Sequence, residues 1–152
     1  MCRLNPEEFR TVYNGKETQL YILKNRHGYE CAVTNYGGAI VALMIPDNNG
    51  NIANVIQGHD NIQEVKNKPE NYLSTNIKKN GNRIKEGKFT LNGKEYNLAI
   101  NNGPNALHGG PTGFHARVWD ATPMNESTLV LKYTSAYGEE GFTGEVTITV
   151  VY

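Results

Sequence analysis

Sulfur is scarce in this sequence, net charge is absent and no long apolar run occurs; each shortage excludes something. Among 152 residues there are two cysteines, Cys2 and Cys31, too few for a disulfide framework. A reducing compartment follows, cytoplasmic in the first instance. Cys2 stands where a mature lipoprotein cysteine would, which makes the periplasm the alternative. Fifteen basic residues balance fifteen acidic ones, so no global field draws the chain to nucleic acid or to an anionic membrane. No stretch approaches the length of a membrane span, and the opening MCRLN lacks the apolar centre of a signal peptide. Three methionines and one tryptophan stand against sixteen glycines and nine tyrosines, a composition of strands and turns rather than helices.

The order along the chain agrees with that composition. Residues 18–24 (TQLYILK) and 29–35 (YECAVTN) are two short β-rich runs separated at Gly28. Residues 39–45 (AIVALMI) are almost continuously apolar, as in a strand covered on both faces, and Pro46 begins the turn PDNNG. Residues 52–57 (IANVIQ) read as a further strand. The strongest hairpin signal is Asn92-Gly93 between KFTL and KEYNL, since a type I′ turn needs positive φ at both central residues. Residues 128–133 and 146–152 alternate polar and apolar side chains at period two. Only residues 64–72 (EVKNKPENY) read as a polar loop with one helical turn. The expectation is an all-β sandwich or barrel. The chain reaches Tyr152 inside an alternating strand, so that strand is expected to need a neighbour, from further chain or from self-association.

Polar groups suited to a ligand concentrate in residues 80–119. Asn82-Arg83 precedes the hairpin, Asn101-Asn102-Gly103 follows it, and His108 leads into Gly109-Gly110-Pro111. A guanidinium, carboxamides and an imidazole beside glycines offer many donors and acceptors at fixed angles, the inventory a hydroxyl-rich sugar requires. Taken singly, each has a plainer reading: a loop-bracing arginine, a structural histidine, a turn. His108 and His115 lack a third ligand, so no metal is expected. The glycines lack the strand-to-helix setting of a phosphate loop, so no nucleotide cofactor is expected either.

The chain carries an ordered set of segments: NYGGAI at 35–40 followed by PDNNGN, GNRI at 81–84 with GKFTLNG at 87–93, NNGPNALHGG at 101–110, GF at 113–114, RVW at 117–119 and GEEGF at 138–142. Together, and in this order, they resemble the aldose 1-epimerase (galactose mutarotase) family. The resemblance implies a large β-sandwich of galactose mutarotase type, with residues 1–152 as the N-terminal part of a single domain. It implies that Asn82, Arg83 and His108 contact a hexose such as galactose or glucose, with His108 near the ring oxygen or a neighbouring hydroxyl, orienting the sugar or assisting proton transfer. Interconverting α and β anomers needs a base for the C1 hydroxyl and an acid for the ring oxygen. In the family these are a glutamate and a second histidine, at positions that would fall beyond Tyr152. Glu139 and Glu140 read as structural members of the GEEGF turn.

The sequence also departs from the family. Lys78 stands where glycine is usual, Lys79 where arginine is usual, Thr143 where proline is common and His59 where an aromatic is commoner. The alternatives to an epimerase are a non-catalytic or degenerate sugar-binding relative, and an interaction module using its last strand.

Overall fold

A computed structural model describes residues 2–67, 72, 74–77 and 79–152. Among the described residues the chain is all-β, with one short α-helix and four 3-10 turns. In order, the strands are β1 (Thr11–Tyr13), β2 (Lys16–Thr18), β3 (Leu20–Lys24), β4 (Glu30–Thr34), β5 (Ala39–Pro46) and β6 (Ile52–Asn54). Helix α1 (Ile62–Asn67) comes next. It is followed by β7 (Arg83–Ile84), β8 (Lys88–Leu91), β9 (Lys94–Asn97), β10 (Ala106–Leu107), β11 (Asp120–Asn125), β12 (Thr128–Ser135) and β13 (Val146–Val151). An antiparallel sheet of order β3-β4-β5-β6 and another of order β11-β12-β13 dominate, joined by the hairpins β1-β2 and β8-β9 and by the pair β7-β10.

The β3–β6 sheet is covered on both sides around β4 and β5, as the near-continuous apolar run at 39–45 requires, while β6 stays exposed. One core gathers Phe9, Ala32, Tyr36, Ala39, Val41, Ala42, Ile62 from α1, and Val118. The other holds Leu23, Val33, Phe114, Trp119, Leu129 and Leu131, between that sheet and β12. A register shift at Ala32/Val33 pairs Ala32 with Ala42 but Val33 with Ile40. Val41 is thus a bulge residue, which is how the adjacent Val41 and Ala42 both enter the first core.

The two halves of the sandwich meet where the NYGG segment crosses the RVW segment. The Asn35 carbonyl accepts from the Trp119 amide at 2.9 Å, and the Gly37 amide donates to the Arg117 carbonyl at 2.7 Å. The Asn35 carboxamide joins three elements. Its Nδ2 donates to the carbonyls of Glu17 and Trp119 (3.1 and 3.3 Å), and its Oδ1 accepts from the Gln19 amide at 2.7 Å. At Gly37, φ is +67° and an added Cβ would lie 2.4 Å from the His115 carbonyl oxygen. Both the turn and the packing here require glycine.

Most of the expected strands are present, with four differences. The run expected at 18–24 is divided at Gln19 between β2 and β3, and β6 ends at Asn54 instead of reaching residue 57. A second Asn-Gly hairpin turn, with Asn14 at φ +50° and Gly15 at +76°, links β1 to β2. Strand β11, unanticipated because it contains Pro123, lies at the edge of its sheet, where a missing N–H is tolerated. Of the expected loop at 64–72, residues 64–67 belong to α1, and residues 68–71 lie outside those described.

Candidate functional site

Asn82, Arg83 and His108 come together through the β7-β10 pair. Arg83 lies opposite Leu107 and Ile84 opposite Ala106, which leaves Asn82 and His108 side by side just past the ladder. The NNGPNALHGG segment holds this pair from within. Asn101 brackets Leu107, accepting from its amide at 2.7 Å and donating to its carbonyl at 3.0 Å. The backbone amides of Asn101 and Asn102 both reach the Asn105 carbonyl, closing the loop that NNGPN makes. Asn102 then uses its own Oδ1 to accept from Arg83 Nε at 2.8 Å. The arginine is therefore anchored on its stem side, while its side chain stays exposed.

Asn82 and His108 bind each other twice. The Asn82 amide donates to His108 Nδ1 at 3.0 Å, and the His108 amide donates to the Asn82 carbonyl at 3.2 Å. Both residues adopt left-handed backbone, φ +71° and +49°, a region asparagine and histidine tolerate better than branched residues. The Asn82 side chain caps its successor, its Oδ1 accepting from the Arg83 amide at 2.9 Å. Tyr72 lies edge-on between two imidazoles, its ring centre 4.4 Å from that of His108 and 4.8 Å from that of His115. No local pattern pointed to Tyr72, which a long stretch of chain separates from His108. Gly113 closes this corner, because a Cβ there would stand 3.0 Å from both the His108 carbonyl oxygen and His115 Nδ1.

The two glutamates of the GEEGF turn are engaged inside the molecule. Glu139 accepts from the Tyr133 hydroxyl at 2.9 Å and from Ser135, and pairs with Arg117 Nη2 at 2.6 Å. Glu140 accepts from the Thr112 amide at 3.0 Å and from the Thr112 hydroxyl, and an added Cβ at Gly110 would meet its carboxylate at 2.5 Å. Lys79 turns the same way, its Nζ donating to the Gly144 carbonyl at 2.7 Å. Lys78 lies outside the described residues. His59 faces a different region, a cleft of about 540 Å³ whose lining includes Cys2, Val41, Ala42 and Asp60. Among the described residues, no three His, Cys, Asp or Glu side chains are grouped to hold a metal, and no helix is long and apolar enough to cross a membrane.

Two tyrosines behind the site titrate late. Burial, then the hydrogen bond to Glu139, pushes the Tyr133 phenol up to about 12; burial, then Tyr13, does the same to Tyr36. A folded-state pKa above the unfolded value of about 10 stabilises the protein fully below pH 10, and that contribution is lost as pH rises towards 12. Alkaline titration followed by tyrosinate absorbance should show a late fraction coinciding with loss of tertiary circular dichroism. A single transition near pH 10 with the fold intact would contradict this.

With the GNRI and NNGPNALHGG motifs now placed on one pair of short strands and the loop that braces it, comparison with known proteins settles the lineage. The family model that matches is aldose 1-epimerase, over residues 19–152. The chain belongs to the aldose 1-epimerase family. It is 38% identical to galactose mutarotase of Bos taurus over 120 residues, covering 79% of this chain and 34% of that protein. It is 28% identical to aldose 1-epimerase of Escherichia coli (strain K12) over 139 residues, covering 91% of this chain and 40% of that protein. The chain thus spans about a third of the length of the mammalian relatives it matches. Among solved structures, an aldose epimerase homologue from C. elegans superposes with a TM-score of 0.82 at 27% identity, over 89% of this chain and 41% of that one. Galactose 1-epimerase from Lactobacillus acidophilus superposes at 0.80 and 23% identity, over 93% and 42%, which speaks to the fold. The chain therefore has the galactose mutarotase type of β-sandwich.

Proposed function

We propose that this chain carries the hexose-holding part of an aldose 1-epimerase site, with Asn82, Arg83 and His108 as the sugar contacts. The observation that supports this reading most is the hydrogen-bonded cluster itself. Three residues from two motifs 26 positions apart share one ledge, exposed at Asn82 and Arg83 and half-buried at His108, each fixed by the main chain or by Asn102. Such a ledge suits an uncharged ligand with many hydroxyls, because each group it presents is already held at one end and gains little freedom to lose on binding. The reaction served is the interconversion of α and β anomers of a hexose such as galactose or glucose. A base takes the C1 hydroxyl proton, an acid protonates the ring oxygen, the ring opens, the C1–C2 bond rotates, and closure reverses both transfers. In this scheme Arg83 and Asn82 bind hydroxyls, and His108 sits beside the ring oxygen or a neighbouring hydroxyl, where it orients the sugar or assists the transfer.

A second reading, sugar binding without turnover, is favoured by the engagement of Glu139 and Glu140 in internal bonds, which keeps both from serving as a base. Calorimetric titration with galactose and with glucose, alongside polarimetry of freshly dissolved α-galactose, addresses both readings. Binding is expected, and Arg83→Ala should weaken it about tenfold or more, the loss of hydrogen bonds from a charged donor. Binding with the uncatalysed rate of mutarotation favours the second reading. An absence of heat with every hexose sinks both.

A further inference from the structure

The bond between Asn82 and His108 determines which way the imidazole can act. A backbone amide has one proton to give and no lone pair to offer, so the ring nitrogen it meets at 3.0 Å must be an acceptor. A neutral imidazole carries its proton on the other nitrogen. His108 Nδ1 is the occupied nitrogen, which leaves the proton on Nε2. The arrangement is constrained from several sides. The reciprocal bond from the His108 amide to the Asn82 carbonyl fixes the spacing of the two backbones. The Asn82 side chain is occupied by the Arg83 amide and does not compete for the ring. Tyr72 packs edge-on against the imidazole and restrains its rotation.

We propose that Asn82, through its main-chain amide, is a positioning residue that fixes His108 as the Nε2–H tautomer, so that His108 meets the sugar as a hydrogen-bond donor. The inference rests on the hexose reading given above and narrows it. With Nε2 protonated and Nδ1 occupied, His108 has no lone pair to accept a proton from the C1 hydroxyl while the Asn82 bond lasts. It orients the sugar instead, by donating to the ring oxygen or to a hydroxyl oxygen. Arg83 is preset in the same sense, since Asn102 takes its Nε and a guanidinium has only donors to offer a ligand. The ledge therefore recognises oxygen lone pairs from both sides.

Long-range proton–nitrogen NMR on the 15N-labelled chain tests this directly, at a pH where the imidazole is neutral and with His108 assigned through its β-carbon. The expected signature is a pyrrole-type Nε2 and a pyridine-type Nδ1, with Nε2 moving when galactose is added. The Asn82→Gly variant should keep the same signature, because the controlling bond is main-chain and glycine accepts the left-handed backbone. A protonated Nδ1, rapid averaging of the two tautomers, or a tautomer switch in Asn82→Gly would overturn the assignment, whether or not sugar binds. Galactose shifts at Arg83 without a change at Nε2 would overturn the donor role. The expected tautomer with no response to any hexose would support the tautomer assignment and sink the hexose reading, so the two failures are told apart.

Discussion

Trp119→Ala should lower the unfolding free energy by about 3–5 kcal/mol, the cost of emptying a large aromatic site in a core that cannot fully collapse. Trp119 is 1% exposed. It packs against Phe114 edge-to-face at 5.8 Å and against Tyr133 at 5.7 Å, and its Nε1 donates to the Phe114 carbonyl at 3.1 Å. Truncation would leave a void, remove aromatic contacts and take away the indole's hydrogen bond to the Phe114 carbonyl, which would keep only the Arg117 amide at 3.4 Å. Against the roughly 5–15 kcal/mol that holds a typical domain, this loss leaves a chain mostly or marginally folded at best. Urea unfolding followed by circular dichroism measures it. A loss below about 1 kcal/mol would mean that the second core is not packed around this indole.

Gly37→Ala should cost about 3 kcal/mol. One part is the left-handed backbone at φ +67°, on the order of 1 kcal/mol for a residue with a Cβ. The larger part is the collision of that Cβ with the His115 carbonyl oxygen, which obliges the crossing of the two sheets or the turn at Phe114–Ala116 to move. Gly15→Ala is the matched control. Its φ is +76°, but nothing lies within 4 Å, so it should show the backbone cost alone, about 1 kcal/mol. The difference between the two isolates the close approach. Because His115 contacts Tyr72 and Tyr72 contacts His108, Gly37→Ala should also weaken sugar binding, while Gly15→Ala should not. Equal losses in the two variants would refute the packing argument.

The parts of this molecule that sequence patterns revealed are those whose cause is local. The alternation at 128–133 and 146–152 corresponds to β12 and β13, Asn92-Gly93 to a tight turn, and the apolar run at 39–45 to a strand with a core on each face. The Asn14-Gly15 hairpin carries the same turn signal, but its strands have three residues each and Val12 is exposed, so the flanks showed no alternation to read. Val55 and Ile56 are apolar enough for a strand, yet past Asn54 the ladder with β5 is reduced to the Val55 amide on the Leu43 carbonyl at 3.0 Å, because the Asn54 side chain accepts from the Leu43 amide at 3.0 Å. Asn82, Arg83 and His108 were legible as residue types in ordered motifs. The bonds that orient them were not. Asn102 on Arg83, the Asn82 amide on His108 and Tyr72 between two histidines all depend on how distant segments are brought together, which no spacing along the chain encodes.

Mapping backbone and arginine side-chain NMR shifts while galactose is titrated tests the central claim most directly. The largest changes should centre on Asn82, Arg83, Asn102 and His108 and fade away from them. Changes centred instead on the cleft of Cys2, Val41, Ala42 and His59, or none at any galactose concentration, would contradict the assignment of this ledge as the sugar site.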